Sequence, residues 1–240
     1  TIFTWEREGI IPGLLKRWYA ERKEMQAKLK EAKDAGNAIE EEYWDKRQLV
    51  KKINLNSLYG AILNPGCRFF DKRIGQSTTL TGRQIAKHMA GKVNEIITGE
   101  FNHVGKAIIY GDTDSCYFSA YKTLKKDIDN GQIPWTKETV VQLYDQIGEE
   151  VNTTFPQFML DAFHCPKSRG DVIRAGREIV ASKGLFITKK RYAVLYYDKE
   201  GKRADVDGKP GKIKAMGLDL KRSDTPEFIQ DFLSNILEKV

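Results

Sequence analysis

The stretch Tyr110–Ser119, "YGDTDSCYFS", closes an apolar run, "AIIY", at 107–110. Ala107–Tyr110 and Ser115–Ala120 read as two strands, with Gly111–Asp114 turning between them. Because side chains alternate with period two, Asp112 and Asp114 can point to one side of such a segment. Carboxylate oxygens are the donors Mg²⁺ prefers, and one or two of them commonly suffice beside water and substrate phosphates. Gly and Asp are equally the residues of plain polar turns. Alone, the pattern reads as a polar turn. Between two apolar strands it becomes a metal-site candidate still short of a ligand.

The 240 residues suit one large domain or two smaller ones. With 40% hydrophobic and 30% charged residues, the composition is that of a soluble globular protein. Forty Lys and Arg against 33 Asp and Glu give a net charge of +7, which favours a polyanionic partner without establishing one. Cys67, Cys116 and Cys165 match no zinc or redox spacing and read as reduced, buried thiols of an intracellular protein. No apolar run approaches the roughly 18 residues of a membrane span, and no signal peptide is visible. A cytoplasmic location, the host cytoplasm if the source is viral, and no membrane partner are therefore expected. The chain opens at Thr1 within a helical pattern, so a fragment, a processed product or a trimmed chain is expected.

Pro12 suits the first turn of a helix running to about Ala35. "GN" at 36–37 makes a turn, and a second helix runs to about Leu63, stopped by "NPG" at 64–66. Residues 78–98 read as a further helix, and 137–160 as another. Strand-like "REIVAS" and "RYAVLYYD" follow, then a Gly/Asp/Pro loop at 198–211 and a short strand in "IKAMGL". "DTPEF" opens a last helix, with Asp224 or Thr225 as cap and Pro226 in its first turn. The order predicts an α+β fold in which a long helical hairpin projects from an antiparallel sheet domain with packed helices.

On the first hairpin helix Leu15, Trp18, Met25 and Leu29 form an apolar seam, and Arg22 falls within it. On the second, Lys52, Asn56 and Tyr59 share a face at i, i+4 and i+7. Folding at Gly36–Asn37 puts Arg22 and Lys52 level, each about 22 Å from the tip. Two facing cations suit an anion such as a triphosphate, gripped by a planar fork and a point charge. A solvated, charge-laced hairpin is the competing reading, and geometry alone favours it.

Four motifs in order carry a family resemblance. "KKINLNSLYG" fits K-x-x-x-N-S-x-Y-G, with Lys52, Asn56, Ser57, Tyr59 and Gly60 in register, and "YGDTDS" follows. "KKRYA" at 189–193 and "MGLDLKRSDTP" at 216–226 complete the set. Together they resemble the fingers, catalytic-hairpin and primer-holding motifs of family-B DNA polymerases, most similar to the replicative enzymes of large tailed phages. The resemblance implies an end of an upstream palm segment at 1–8, fingers at 9–65, palm at 66–222 and the start of a thumb at 223–240.

It further implies template-directed nucleotidyl transfer to a primer 3′-hydroxyl. Asp114 and, less directly, Asp112 would be catalytic and would bind two Mg²⁺ ions, with Glu178 beside them. Arg22 and Lys52 would grip the deoxynucleoside triphosphate, with Asn56 nearby and Tyr59 and Gly60 under the nascent base pair. Lys189, Lys190, Arg191 and Tyr192, with Tyr110, Gly111 and Thr113, would hold primer–template DNA.

Two departures qualify this. Gln26 stands where the family usually has a second cation, one turn after Arg22. The family's D-x-x-S-L-Y-P-S motif, which carries its first catalytic aspartate, is absent from these 240 residues. The Mg²⁺ ions would then be shared with a carboxylate not on this chain, supplied by an N-terminal polymerase piece, and the chain alone would be nearly inactive. The alternative from another class is a non-catalytic DNA-binding module that keeps the polymerase fold. An interaction protein built on the helical hairpin ranks last, since it leaves the motif order unexplained.

Overall fold

The turn at Gly36–Asn37 and the stop at Asn64–Gly66 fall where expected in the computed structural model, which describes residues 3–4, 6–170, 172–219 and 224–239. Helices and two antiparallel sheets make an α+β chain. Two units, Thr1–Thr81 and Gly82–Val240, each cohere internally, and each is described by itself.

In the first unit, α1 (Ile10–Asp34) and α2 (Ala38–Leu63) form the hairpin. Gly36 makes the reversal at φ 68°, a conformation that costs a side chain-bearing residue more. Asn37 caps α2, its side chain accepting from the Glu40 N–H at 3.2 Å. Leu15, Trp18, Met25 and Leu29 are half-buried along α1, as expected, and Ala32 is buried. Trp44, Leu55 and Leu58 answer them from α2, and Ile62 is buried. A Lys33–Glu41 pair at 3.6 Å and Lys28 over the Trp44 ring at 4.6 Å hold the tip in register.

The next helix, α3 (Lys72–Thr98), starts earlier than the apolar periodicity indicated. Asp71 explains the difference: its carboxylate accepts the Arg73 N–H at 2.9 Å, capping a first turn whose Ile74 and Gly75 are too few to mark a period. This beginning of α3 belongs to the first unit, tied to α2 by a 2.6 Å hydrogen bond between the Tyr59 and Thr79 hydroxyls. The division between units falls at Thr81, inside α3.

In the second unit, Val93 of α3 meets Ile147, Val151 and Phe155 of α5 (Lys137–Phe163), the last three at helical i, i+4 and i+8 spacing. β1 (Ile108–Asp112) and β2 (Ser115–Phe118) lay Ile108 and Phe118 against this core. A short α4 (Tyr121–Asp129) follows, unannounced in the sequence because Leu124 and Ile128 alone carry its apolar period among charges. After the single turn α6 (Lys167–Gly170) come β3 (Ile179–Thr188), β4 (Arg191–Lys199), β5 (Lys202–Arg203) and β6 (Lys212–Met216).

β4 pairs antiparallel with β3, β5 and β6, and its nearly continuous burial befits that central place. Val180 and Tyr197 pack on Val140 of α5. Leu233 and Leu237 of α7 (Glu227–Lys239) cover Ala193 of β4 and Leu218 just after β6. The Pro226 carbonyl accepts from the Ile229 and Gln230 N–H groups, so Pro226 stands just before α7. Residues 220–223 of the "MGLDLKRSDTP" motif lie outside the described residues. No described helix is long and apolar enough to cross a membrane.

Candidate functional site

β1 continues through Gly111 to Asp112, and Asp112 pairs with Ser115, so the turn is Thr113–Asp114 alone. Along β1, Ile108, Tyr110 and Asp112 face inward while Ile109 and Gly111 face out. Asp112 is thereby shielded, its side chain 16% exposed, whereas Asp114 on the turn is open to solvent. Thr113 holds φ 38°, an uncommon conformation for a β-branched residue. Its hydroxyl donates to the Asp112 carboxylate at 3.2 Å, and the Ser115 hydroxyl to the Asp112 carbonyl at 3.2 Å.

A second two-residue turn is basic. Thr188 pairs with Arg191, leaving Lys189 and Lys190 exposed at the tip, with Lys190 at φ 62°. The Lys190 N–H donates to the Tyr110 hydroxyl at 2.7 Å. Lys189 Nζ lies 3.9 Å from Asp112 Oδ1, with the lysine side chain 75% exposed. Such an exposed pair contributes little to stability, so its interest is positional. From the other side, Arg191 Nε donates to the Gly217 carbonyl at 3.2 Å. Gly217, at φ 62°, presses so closely that a Cβ there would lie 2.1 Å from the Lys190 carbonyl oxygen.

Four rings fill the space between the two hairpins: Tyr110 and Tyr117 from one, Phe186 and Tyr192 from the other. Every pair has centroids 5.2 to 6.1 Å apart. The Tyr117 hydroxyl donates to that of Tyr192 at 3.3 Å. Burial, then this bond and the nearby Glu178 carboxylate, push the Tyr117 phenol well above its usual range. Burial also pushes the Cys116 thiol up to about 12, which leaves it inert near neutral pH.

Tyr192 and Glu178 have partners of their own. Tyr192 is only 5% exposed, its ring packed against Tyr110, Tyr117 and Phe186. The Glu178 carboxylate takes Lys214 Nζ at 2.7 Å, and no described cluster of three or more His, Cys, Asp or Glu side chains could hold a metal. Asp112 at the end of β1 is shielded and Asp114 on the turn is open, and both offer oxygen donors of the kind Mg²⁺ prefers.

In the first unit Lys52, Asn56, Tyr59 and Gly60 are exposed. Arg22 is half-buried in the seam, its Nε donating to Gln48 Oε1 at 3.4 Å. The cation that enters the seam from α2 is Lys51, not its neighbour Lys52. Lys51 pairs with Glu21 and lies 5.7 Å from the Trp18 ring centre. Glu21 is held below the usual carboxylate range chiefly by its hydrogen bond from Lys51.

Comparison with known proteins adds a family. The family model described as DNA polymerase family B matches residues 2–162. A DNA-directed DNA polymerase of Escherichia phage RB69 is 30% identical over 202 residues, covering 80% of this chain and 22% of that protein. One of Enterobacteria phage T4 is 29% identical over 208 residues, covering 80% and 22%. A DNA polymerase of Pyrococcus glycovorans is 28% identical over 233 residues, covering 97% and 24%. The chain thus spans less than a quarter of the length of these relatives.

Proposed function

Because the chain belongs to DNA polymerase family B, we propose that it supplies fingers and most of the palm for DNA-directed DNA synthesis. The observation that carries this reading is the pairing of an acidic turn with a basic one on a single block of rings, Lys189 standing 3.9 Å from Asp112.

In this reading Lys189, Lys190 and Arg191 hold the phosphates of the primer end, positioning it without reading sequence. Gly111 and Thr113 offer exposed backbone beside the same strand, and Tyr110 fixes the lysine turn from beneath. Asp114 and Asp112 would hold Mg²⁺ together with a carboxylate from outside these residues, on an N-terminal polymerase piece. Bound there, two ions would acidify the 3′-hydroxyl and neutralise the departing pyrophosphate. Shielding strengthens the attraction of Asp112 for a cation, while exposure leaves Asp114 free to take up ligand.

On the hairpin, Arg22 and Lys52 would take the phosphates of the incoming deoxynucleoside triphosphate. Exchange of the long Arg22–Gln48 bond for charge-assisted bonds to phosphate favours the bound state. Asn56 shares the exposed face of α2 with Lys52, and Tyr59, anchored at Thr79, would form with Gly60 a surface for the base pair.

Primer extension with Mg²⁺ tests the reading, using the chain alone and with an N-terminal family-B piece bearing D-x-x-S-L-Y-P-S. Extension is expected only from the combination, and only with Asp114 intact. Undiminished extension in Asp114→Ala contradicts it. Extension by the isolated chain would instead place the remaining carboxylate within these residues.

A further inference from the structure

The two hairpins belong to different sheets, so no strand ladder joins them among the described residues. A long stretch of chain, including α4, α5 and α6, also separates β2 from β3. What ties the acidic turn to the basic turn among the described residues is local: two hydrogen bonds, one long ion pair and the four rings. The 2.7 Å bond from the Lys190 N–H and the 3.9 Å approach of Lys189 both lie at exposed tips, where water competes. The rings lie deeper. Phe186 touches all three tyrosines, with centroids 5.5 Å from Tyr110, 5.2 Å from Tyr117 and 5.6 Å from Tyr192. Tyr117 adds the hydroxyl bond to Tyr192.

We infer that Tyr117 and Phe186 are positioning residues that lock the carboxylate turn to the lysine turn, so that metal ligands and primer grip move as one body. The inference rests on the proposed function for its meaning, but its physical content is a coupling between two hairpins. Neither residue carries a charge or reaches a reacting group. Their effect would pass through the backbone: Phe186 stands opposite Tyr192 next to the lysine turn, and Tyr117 opposite Tyr110 next to the aspartate turn. Removing either ring contact lets each turn fluctuate about its own hairpin. A near-attack geometry tolerates such slack poorly.

Amide hydrogen exchange on the free 240-residue chain tests the coupling. Phe186→Leu keeps the bulk and removes the ring. It is expected to speed exchange by about tenfold at Gly111 and Cys116 on one hairpin and at Lys190 and Tyr192 on the other. Phe186→Tyr should restore the native rates at all four. Val151→Ala, in the α3–α5 core, supplies a variant destabilised without touching the rings, and should not reproduce this joint pattern. Faster exchange confined to the β3–β4 hairpin would overturn the inference, as would an identical pattern in Val151→Ala. No DNA or metal is present, so this result stands or falls separately from primer extension.

Discussion

The Tyr110 hydroxyl, on the strand that ends in Asp112, accepts a 2.7 Å hydrogen bond from the backbone N–H of Lys190, eighty positions later. One side chain thereby reads the position of a turn built by another hairpin. Most of what can be tested about this protein follows from that junction and from the core beneath it.

Lys190 occupies a left-handed conformation at φ 62°, where glycine rests more easily. A lysine kept there against local preference points to a use for its side chain. Lys190→Gly is expected to leave stability unchanged or raise it by up to about 1 kcal/mol, measured by urea denaturation. The same variant should bind primer–template DNA more weakly, with the salt dependence of log K falling by about one unit of slope. Loss of stability together with unchanged DNA affinity would assign the lysine to the fold instead.

Gly217 supports the same turn from the opposite side. Its φ of 62° and the 2.1 Å approach of any Cβ to the Lys190 carbonyl make Gly217→Ala doubly unfavourable. A loss of more than about 1 kcal/mol is expected in denaturant unfolding. A neutral result would mean that β6 and the lysine turn are less closely packed than described.

Asn94 fixes the entry to β1. It is 1% exposed, its carbonyl oxygen accepts the Ala107 N–H at 3.0 Å, and its amide donates to the Glu100 carbonyl at 2.8 Å. Asn94→Ala strands both backbone groups and should cost about 2–3 kcal/mol. Asn94→Asp replaces the donor by an acceptor facing the same carbonyl, and is expected to be at least as damaging.

His88 gives stability a pH dependence. Its ring stacks on Phe158 with centroids 4.0 Å apart, and Nε2 shares a 2.9 Å hydrogen bond with the Thr154 hydroxyl. Burial lowers its pKa, Lys92 lowers it further and Glu95 opposes them. The unfolded chain therefore protonates this histidine first as pH falls. Its contribution is complete above the unfolded value near 6.5 and declines as pH drops through 6.5 toward the lower folded value. Urea midpoints at pH 8 and pH 5 should differ less for His88→Gln than for the native chain; equal differences would exclude the effect.

Much of this was legible in the sequence, for identifiable reasons. The hairpin helices declared themselves through long apolar periodicity and unambiguous stops, and their ends fall within two residues of expectation. The Tyr110–Tyr117 pairing follows from any two-residue turn at Thr113–Asp114, since both pairs share one centre of register. The pairing of Phe186 with Tyr192 does not follow from the Lys189–Lys190 turn, because the register shifts between Phe186 and Thr188. That shift hid the fourth ring, and with it the burial of Tyr192. Neither could sequence spacing reveal the Lys214–Glu178 pair, since Glu178 just precedes β3 and Lys214 lies on β6, and the two strands meet only through β4.

The most direct test of the account is the affinity of primer–template DNA for the chain, followed by fluorescence anisotropy with and without Mg²⁺. If the acidic and basic turns serve one primer end, Mg²⁺ should tighten binding by the native chain. Asp114→Ala should abolish that tightening while leaving Mg²⁺-free affinity intact, and Lys190→Gly should weaken binding in both conditions. Mg²⁺-dependent tightening that survives Asp114→Ala, or affinity indifferent to Lys190, would contradict the account.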